Sequence, residues 1–259
     1  MKTGKTALIT VLMLANPLLA GNEAFEKGMK ALETKDFATG LGYLETALGQ
    51  DPDNVQFGSE YRMAIIKQAK QLHPKEGQPA DYERCLKFYE RLVANNPNAS
   101  NAWLNYGFAV VDKIPAAGAI SQVILANTAL GYFTKSIEAK PSWIAYYTRG
   151  ASYLFWPKIF GRAPLAVADM EQAMKLQKAG PSKAVYVRGY VGLGDAYWKS
   201  DNLEKARAIW SEGLKLYPNS QPLKDRLARQ GDDLKSYLDD LLDPSKRVDT
   251  DLKDLWMIN

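Results

Sequence analysis

Residues 190–218 read YVGLGDAYWKSDNLEKARAIWSEGLKLYP, and the spacing within them decides the fold. Gly194 is followed twelve residues later by a second small residue, Ala206, and Pro218 follows after twelve more. Small side chains allow two antiparallel helices to approach closely, and proline ends the second helix because it lacks an amide hydrogen. The stretch therefore predicts a pair of helices, with Trp210 filling the space beside them.

The twelve-residue spacing recurs along the chain, which indicates an internal repeat. It separates Gly28 from Gly40 and Gly40 from Pro52, and it also separates Cys85 from Pro97 and Ala129 from Pro141. Four copies of one spacing, with a small residue at one end and proline at the other, are not expected by chance. We therefore predict an all-α protein in which paired helices are stacked.

The pattern around Gly194 resembles the tetratricopeptide repeat (TPR), a helix–turn–helix unit of about 34 residues. In full it reads Tyr190-x-x-Leu193-Gly194-x-x-Tyr197, continued by Ala206-x-x-x-Trp210 and Pro218. The resemblance implies a right-handed superhelical solenoid of about five TPR-like helix pairs, closed by a C-terminal capping helix. It also implies that the first helix of each pair lines a concave groove.

Two copies contain extra residues, which we expect at the surface. Gly107 and Ala129 are ten residues further apart than the regular spacing, and Gly150 and Ala166 are four further apart. The segment after Ala119 is apolar and favours helix. We therefore predict a lengthened second helix there rather than a loop.

The composition excludes most kinds of catalytic site. The chain has 259 residues, a net charge of +4, one histidine (His73) and one cysteine (Cys85). An intrachain disulfide and a zinc site built from several histidines and cysteines are impossible, and the mild charge does not indicate nucleic-acid binding. We expect no enzyme activity, no cofactor and no metal, and we interpret Cys85 as a small core residue.

Residues 1–20 are typical of a signal peptide. Lys2 and Lys5 precede a short apolar run, and Leu18-Leu19-Ala20 resembles a small-residue cleavage site. The run is too short to cross a membrane, and no later stretch reaches spanning length. The sequence therefore predicts an exported, soluble protein of the periplasm or the exterior.

We assign residues 21–243 to the repeat domain and residues 244–259 to a charged C-terminal tail. Leucines at helical spacing predict one closing helix over residues 220–242. In the tail, Asp249-x-Asp251-x-x-Asp254 lacks the glycine and the terminal glutamate of a calcium loop. We expect a solvated tail whose apolar end, residues 255–258, packs back on the body.

Helical phase relative to the small glycines predicts which residues line the groove. The set is mostly apolar and aromatic, with a charged patch towards its C-terminal end. It comprises Leu104, Phe108, Tyr147, Leu154, Phe155, Arg188, Val191, Asp195, Trp198 and Lys199, with Val111 and Ala151 beside them.

Two functions are compatible with such a groove. The first is a non-enzymatic scaffold or adaptor of the cell envelope that binds another protein or peptide. The alternative is a periplasmic binding component for an apolar small ligand. The segment 160–166 and the run 226–230 are somewhat similar to the TPR proteins associated with TRAP-type transporters.

Overall fold

The computed structural model describes residues 17–75, 77–246 and 250–255, and every regular element in these ranges is a helix. Numbered in chain order, the α-helices are α1 (Pro17–Glu33), α2 (Phe37–Gln50), α3 (Val55–Leu72), α4 (Glu83–Asn95), α5 (Ser100–Lys113), α6 (Ala119–Ala139), α7 (Trp143–Leu154), α8 (Ala163–Lys178), α9 (Val187–Lys199), α10 (Leu203–Leu216), α11 (Gln221–Ala228) and α12 (Gly231–Leu241). None of these described helices is long and apolar enough to cross a membrane.

The first ten helices form five consecutive pairs, from α1/α2 to α9/α10, and the two backbones pack closely in all of them except α3/α4. Neighbouring pairs pack on each other, for example where α2 meets α3 and α8 meets α9. The α3/α4 pair is joined by aromatic rings, with Tyr61 5.0 Å from Phe88 and 6.0 Å from Tyr89 between ring centroids. The prediction of an all-α, right-handed superhelical solenoid of about five helix pairs is confirmed.

The small residues of the repeat lie where the two helices of a pair are closest. A Cβ atom added to Gly107 would lie 2.4 Å from the ring of Phe133, and one added to Gly194 would lie 2.1 Å from Trp210. Phe133 and Trp210 are fully buried, so their rings have no space to move into. Glycine is needed at both positions because any larger side chain would push the paired helices apart.

Gly194→Ala is expected to lower the free energy of unfolding by about 1–3 kcal/mol, because the added methyl overpacks the α9/α10 contact. Gly42→Ala is the matched control, since the Cβ site at Gly42 on α2 has no atom within 4 Å. There the gain in helix propensity should stabilise the protein by about 0.5–1 kcal/mol. Urea denaturation measures both variants, and equal effects would contradict this account of the repeat.

The repeat prolines and the insertion after Gly107 also behave as predicted. Helices α2, α4, α6 and α10 each end two residues before a repeat proline. The insertion lengthens α6 to 21 residues, against 14 in α2 and in α10. The extra residues therefore extend a second helix and do not form a long loop.

The predicted single closing helix is wrong, because residues 220–242 form two short helices, α11 and α12. The chain is extended at Arg229, and Gly231 takes a positive φ of 50° that favours glycine. Arg207 of α10 donates to the carbonyl oxygen of Arg229 at 2.6 Å, so this carbonyl group has a hydrogen-bond donor although the helix is interrupted there. Leu223 and Leu234 remain buried, so the two helices together close the stack.

A further feature is the single cysteine of the chain. Cys85 is a buried free thiol, as predicted, and burial raises its pKa well above the usual range, so the reactive thiolate is disfavoured.

At the N-terminus, residues 1–16 of the predicted signal peptide lie outside the described residues. Helix α1 begins at Pro17, so cleavage after Ala20 would fall within its first turn.

Candidate functional site

A buried arginine on the first helix of the second pair organises a polar cluster. Arg62 of α3 is fully buried and donates from Nε to Asn105 Oδ1 at 3.0 Å and from Nη1 to Asp112 Oδ2 at 2.8 Å, both on α5. Its Nη2 donates to the carbonyl oxygen of Thr250 at 2.9 Å. A buried guanidinium requires such partners because an unpaired buried charge is strongly destabilising. One of the partners is the main chain of the C-terminal tail.

Residues 250–255 of the tail bind across these first helices, and we call them the tail segment. The Thr250 hydroxyl donates to Asp112 Oδ1, and the Leu252 amide donates to Ser59 Oγ of α3 at 3.4 Å. The expectation of a solvated tail is therefore wrong for Thr250 and Leu252, which are buried, whereas Leu255 packs back on the body as predicted. Residues 256–259 lie outside the described part of the chain.

Two leucines anchor the tail segment in the hydrophobic core. Leu252 is 2% exposed and Leu255 is 4% exposed, and both belong to the cluster that contains Tyr61 and Phe108. The Leu255 amide donates to the Leu252 carbonyl oxygen at 2.7 Å, so the segment ends in a turn. The apolar contacts explain why an otherwise charged stretch leaves solvent.

Charged side chains at the edge complete the contact. Asp254 pairs with Arg188 of α9 at 2.7 Å, and both are exposed. Burial raises the pKa of Glu60 on α3, while the nearby charge of Lys253 opposes this rise. The tail segment thus reaches the first helices of the second, third and fifth pairs. We call the surface formed by these contacts on α3, α5 and α9 the groove.

The structure places several predicted groove residues inside the core. Leu104 and Leu154 are 0% and 3% exposed, and Phe108 packs on Phe133 with ring centroids 5.2 Å apart. Asp195 forms a buried bidentate ion pair with Arg226 of α11, in which Nε donates to Oδ1 at 2.6 Å and Nη2 donates to Oδ2 at 2.7 Å. These four side chains hold the stack together, so they are not accessible to a partner in this structure.

The other predicted residues are partly exposed. Tyr147 stacks on Trp143 with ring centroids 4.7 Å apart, and Arg188 pairs with the tail segment. Lys199 donates to the carbonyl oxygen of Leu154, and burial lowers its pKa. The remaining half-buried side chains are Val111, Ala151, Phe155, Val191 and Trp198. Their role as groove residues stays a prediction.

The sequence-based reasoning missed Ser59, Arg62, Asp112 and the tail segment. The available signal was a charged residue inside an apolar run, as at Arg62 beside Tyr61 and at Asp112 after two valines. A charge in such a position requires a buried partner. Within the described ranges, no group of three or more His, Cys, Asp or Glu side chains could hold a metal ion.

Comparisons with known proteins support the fold. No protein-family model matches the chain, and no curated protein matches it. Among solved structures, TTC0263, a thermophilic TPR protein of Thermus thermophilus, is similar with a TM-score of 0.52 and 18% identity, over 81% of this chain and 97% of its own. Two MamA structures each have a TM-score of 0.48. The first is 15% identical, and the match covers 82% of this chain and 96% of the MamA chain. The second, from Desulfovibrio magneticus RS-1, is 14% identical, and the match covers 78% of this chain and 97% of the MamA chain. The similarity to TTC0263 shows that the chain has the TPR fold.

Proposed function

We propose that this protein is a non-enzymatic scaffold of the cell envelope that binds a partner polypeptide in its groove. The observation that carries the proposal is that the groove already holds a polypeptide main chain. Arg62 donates to a carbonyl oxygen of the tail segment, and Ser59 accepts from one of its amides. Contacts of this kind recognise a peptide backbone, while the burial of Leu252 and Leu255 in the core adds specificity.

Two further observations support the proposal. The TPR fold presents its first helices as one continuous surface, which suits the binding of an extended partner. The signal-like sequence of residues 1–20, with Lys2 and Lys5 before a short apolar run, supports a location in the envelope. Binding through main-chain hydrogen bonds and apolar contacts requires no catalytic group or cofactor.

Site-specific photo-crosslinking in intact cells tests this function. A photoreactive amino acid at Val191, half-buried on α9, should give reproducible adducts with one partner in the envelope fraction. The control places it at Lys135 of α6, whose side chain is 57% exposed on a second helix. Adducts that arise equally from both positions, or from neither, would contradict partner binding through the groove.

A further inference from the structure

We propose that the tail segment is a built-in ligand of the groove, and that the partner displaces it with an acidic segment of the same chemistry. That segment has a hydroxyl residue followed by leucines two and five positions later, as in Thr250, Leu252 and Leu255. The proposal rests on the proposed function and specifies the partner that the groove accepts.

The hydroxyl position is defined by a buried charged pair. Arg62 and Asp112 have side chains that are 0% and 3% exposed, and they are joined at 2.8 Å. Arg62 binds the carbonyl oxygen of Thr250, while Asp112 accepts from its hydroxyl. A serine or threonine satisfies both groups at once, whereas an apolar residue would leave a carboxylate oxygen of Asp112 without this donor.

The two leucine positions follow from the turn that ends the tail segment. Because the Leu255 amide bonds to the Leu252 carbonyl, these side chains come to the same side and both enter the core. The burial of both leucine side chains, 2% and 4% exposed, is the main apolar contribution to binding of the tail segment. A competing segment therefore needs apolar residues with this spacing to displace the tail.

The charge preference comes from the edge of the groove. Arg188 pairs with Asp254 at 2.7 Å, and this arginine is accessible to a carboxylate from a partner. The contribution of an exposed pair is small, so it affects selectivity and association rate more than affinity. An acidic residue directly before the second leucine is thus favoured.

The tail is well placed to act as an intramolecular competitor. Helix α12 ends at Leu241, so only a short stretch of chain precedes Thr250. A short linker gives a local concentration of about 1 mM, which a free partner segment must overcome. The groove is therefore closed until a segment binds it more strongly than the tail does.

Fluorescence anisotropy with a labelled synthetic peptide of residues 246–259 tests this proposal. The full chain is compared with a release variant, also full length, that carries Leu252→Asp and Leu255→Asp. The peptide should bind the release variant at least tenfold more tightly than the unmodified chain, because the tail no longer competes. A control peptide with the same two aspartates should bind neither protein.

Equal binding to both proteins, no binding to either, or equal binding of the control peptide would overturn the proposal. A second measurement uses only the unmodified chain, in case the release variant does not fold. Excess unlabelled peptide should accelerate hydrogen exchange at the Leu252 amide, and the aspartate peptide should not. Unchanged exchange with both peptides would also overturn it.

These experiments separate the two proposals, because the peptide measurements need no partner. Their failure would refute the tail segment as a groove ligand, even if crosslinking from Val191 still identified a partner. Absence of crosslinked partner from the release variant, combined with tight peptide binding, would refute the scaffold function and retain the tail as a ligand of its own groove.

Discussion

Arg62→Met is expected to lower the free energy of unfolding by about 3–5 kcal/mol, the range found when one partner of a buried ion pair is removed. The methionine fills part of the volume but leaves the Asp112 carboxylate, 3% exposed, without its cation. It also removes the donor to Thr250, so the tail segment should leave the groove. Urea denaturation measures the first effect, and hydrogen exchange at residues 250–255 measures the second.

Arg84→Met is the matched control for burial. Arg84 pairs with Glu45 at 2.8 Å, the same distance as in the buried pair, but its side chain is 42% exposed. Water screens this interaction, so its loss should change the free energy of unfolding by at most about 1 kcal/mol. Similar effects of both methionine variants would contradict the importance assigned to burial at Arg62.

A double variant separates the lost ion pair from lost packing. Adding Asp112→Asn to Arg62→Met removes the charge that the single variant leaves behind and retains a side chain of similar shape. Much of the stability should then return, because the cost of the single variant lies in that buried carboxylate. A double variant no more stable than the single one would indicate that Arg62 acts mainly through packing.

The repeat could be predicted from sequence because its signals are local. A glycine, a small residue twelve positions later and a proline after twelve more all lie within one helix pair, as from Gly194 to Pro218. The register of α3 could not be fixed in this way. Its buried face includes Arg62, which interrupts the apolar pattern on which helical phase is judged.

The site was harder to predict because its contacts join distant parts of the chain. Arg62 and Thr250 are 188 residues apart in sequence, and Ser59 and Leu252 are 193 apart. Local composition makes the tail segment look solvated, since three of its six residues are charged. Only the folded stack shows that its threonine and its leucines face buried partners. For the same reason, Asp195 looked like a groove residue before its partner Arg226 was known.

Helices α11 and α12 together form the C-terminal cap of the stack. Arg226→Met should release this cap while leaving the rest of the stack intact. Arg226 of α11 makes two bonds to Asp195 of α9, and their side chains are 6% and 4% exposed. Breaking this pair leaves a buried carboxylate and should destabilise the contact between α9 and α11 by about 3–5 kcal/mol. In a solenoid each unit contacts only its neighbours, so the loss is expected to remain at that end.

Hydrogen exchange followed by mass spectrometry measures this local effect. Amides of α11 and α12 should exchange at least tenfold faster in Arg226→Met, while those of α1 and α2 should not change. Arg229→Met is the control, because Arg229 is 30% exposed and its carboxylate contacts are longer, 3.5 Å to Asp225 and 3.9 Å to Asp233. Unchanged exchange in α11 and α12 would show that buried apolar contacts, such as those of Leu223, hold the cap without the ion pair.

The two arginine variants should also have opposite effects on the tail and the cap, since each buried pair holds a different part of the C-terminal region. Loss of Arg62 removes a direct contact to the tail segment but leaves the pair between Asp195 and Arg226. Loss of Arg226 frees the cap, whereas Arg62 and Ser59 still bind the tail segment at the other end of the groove. If Arg226→Met released the tail segment as fully as Arg62→Met does, its binding would depend on the cap and not on the groove.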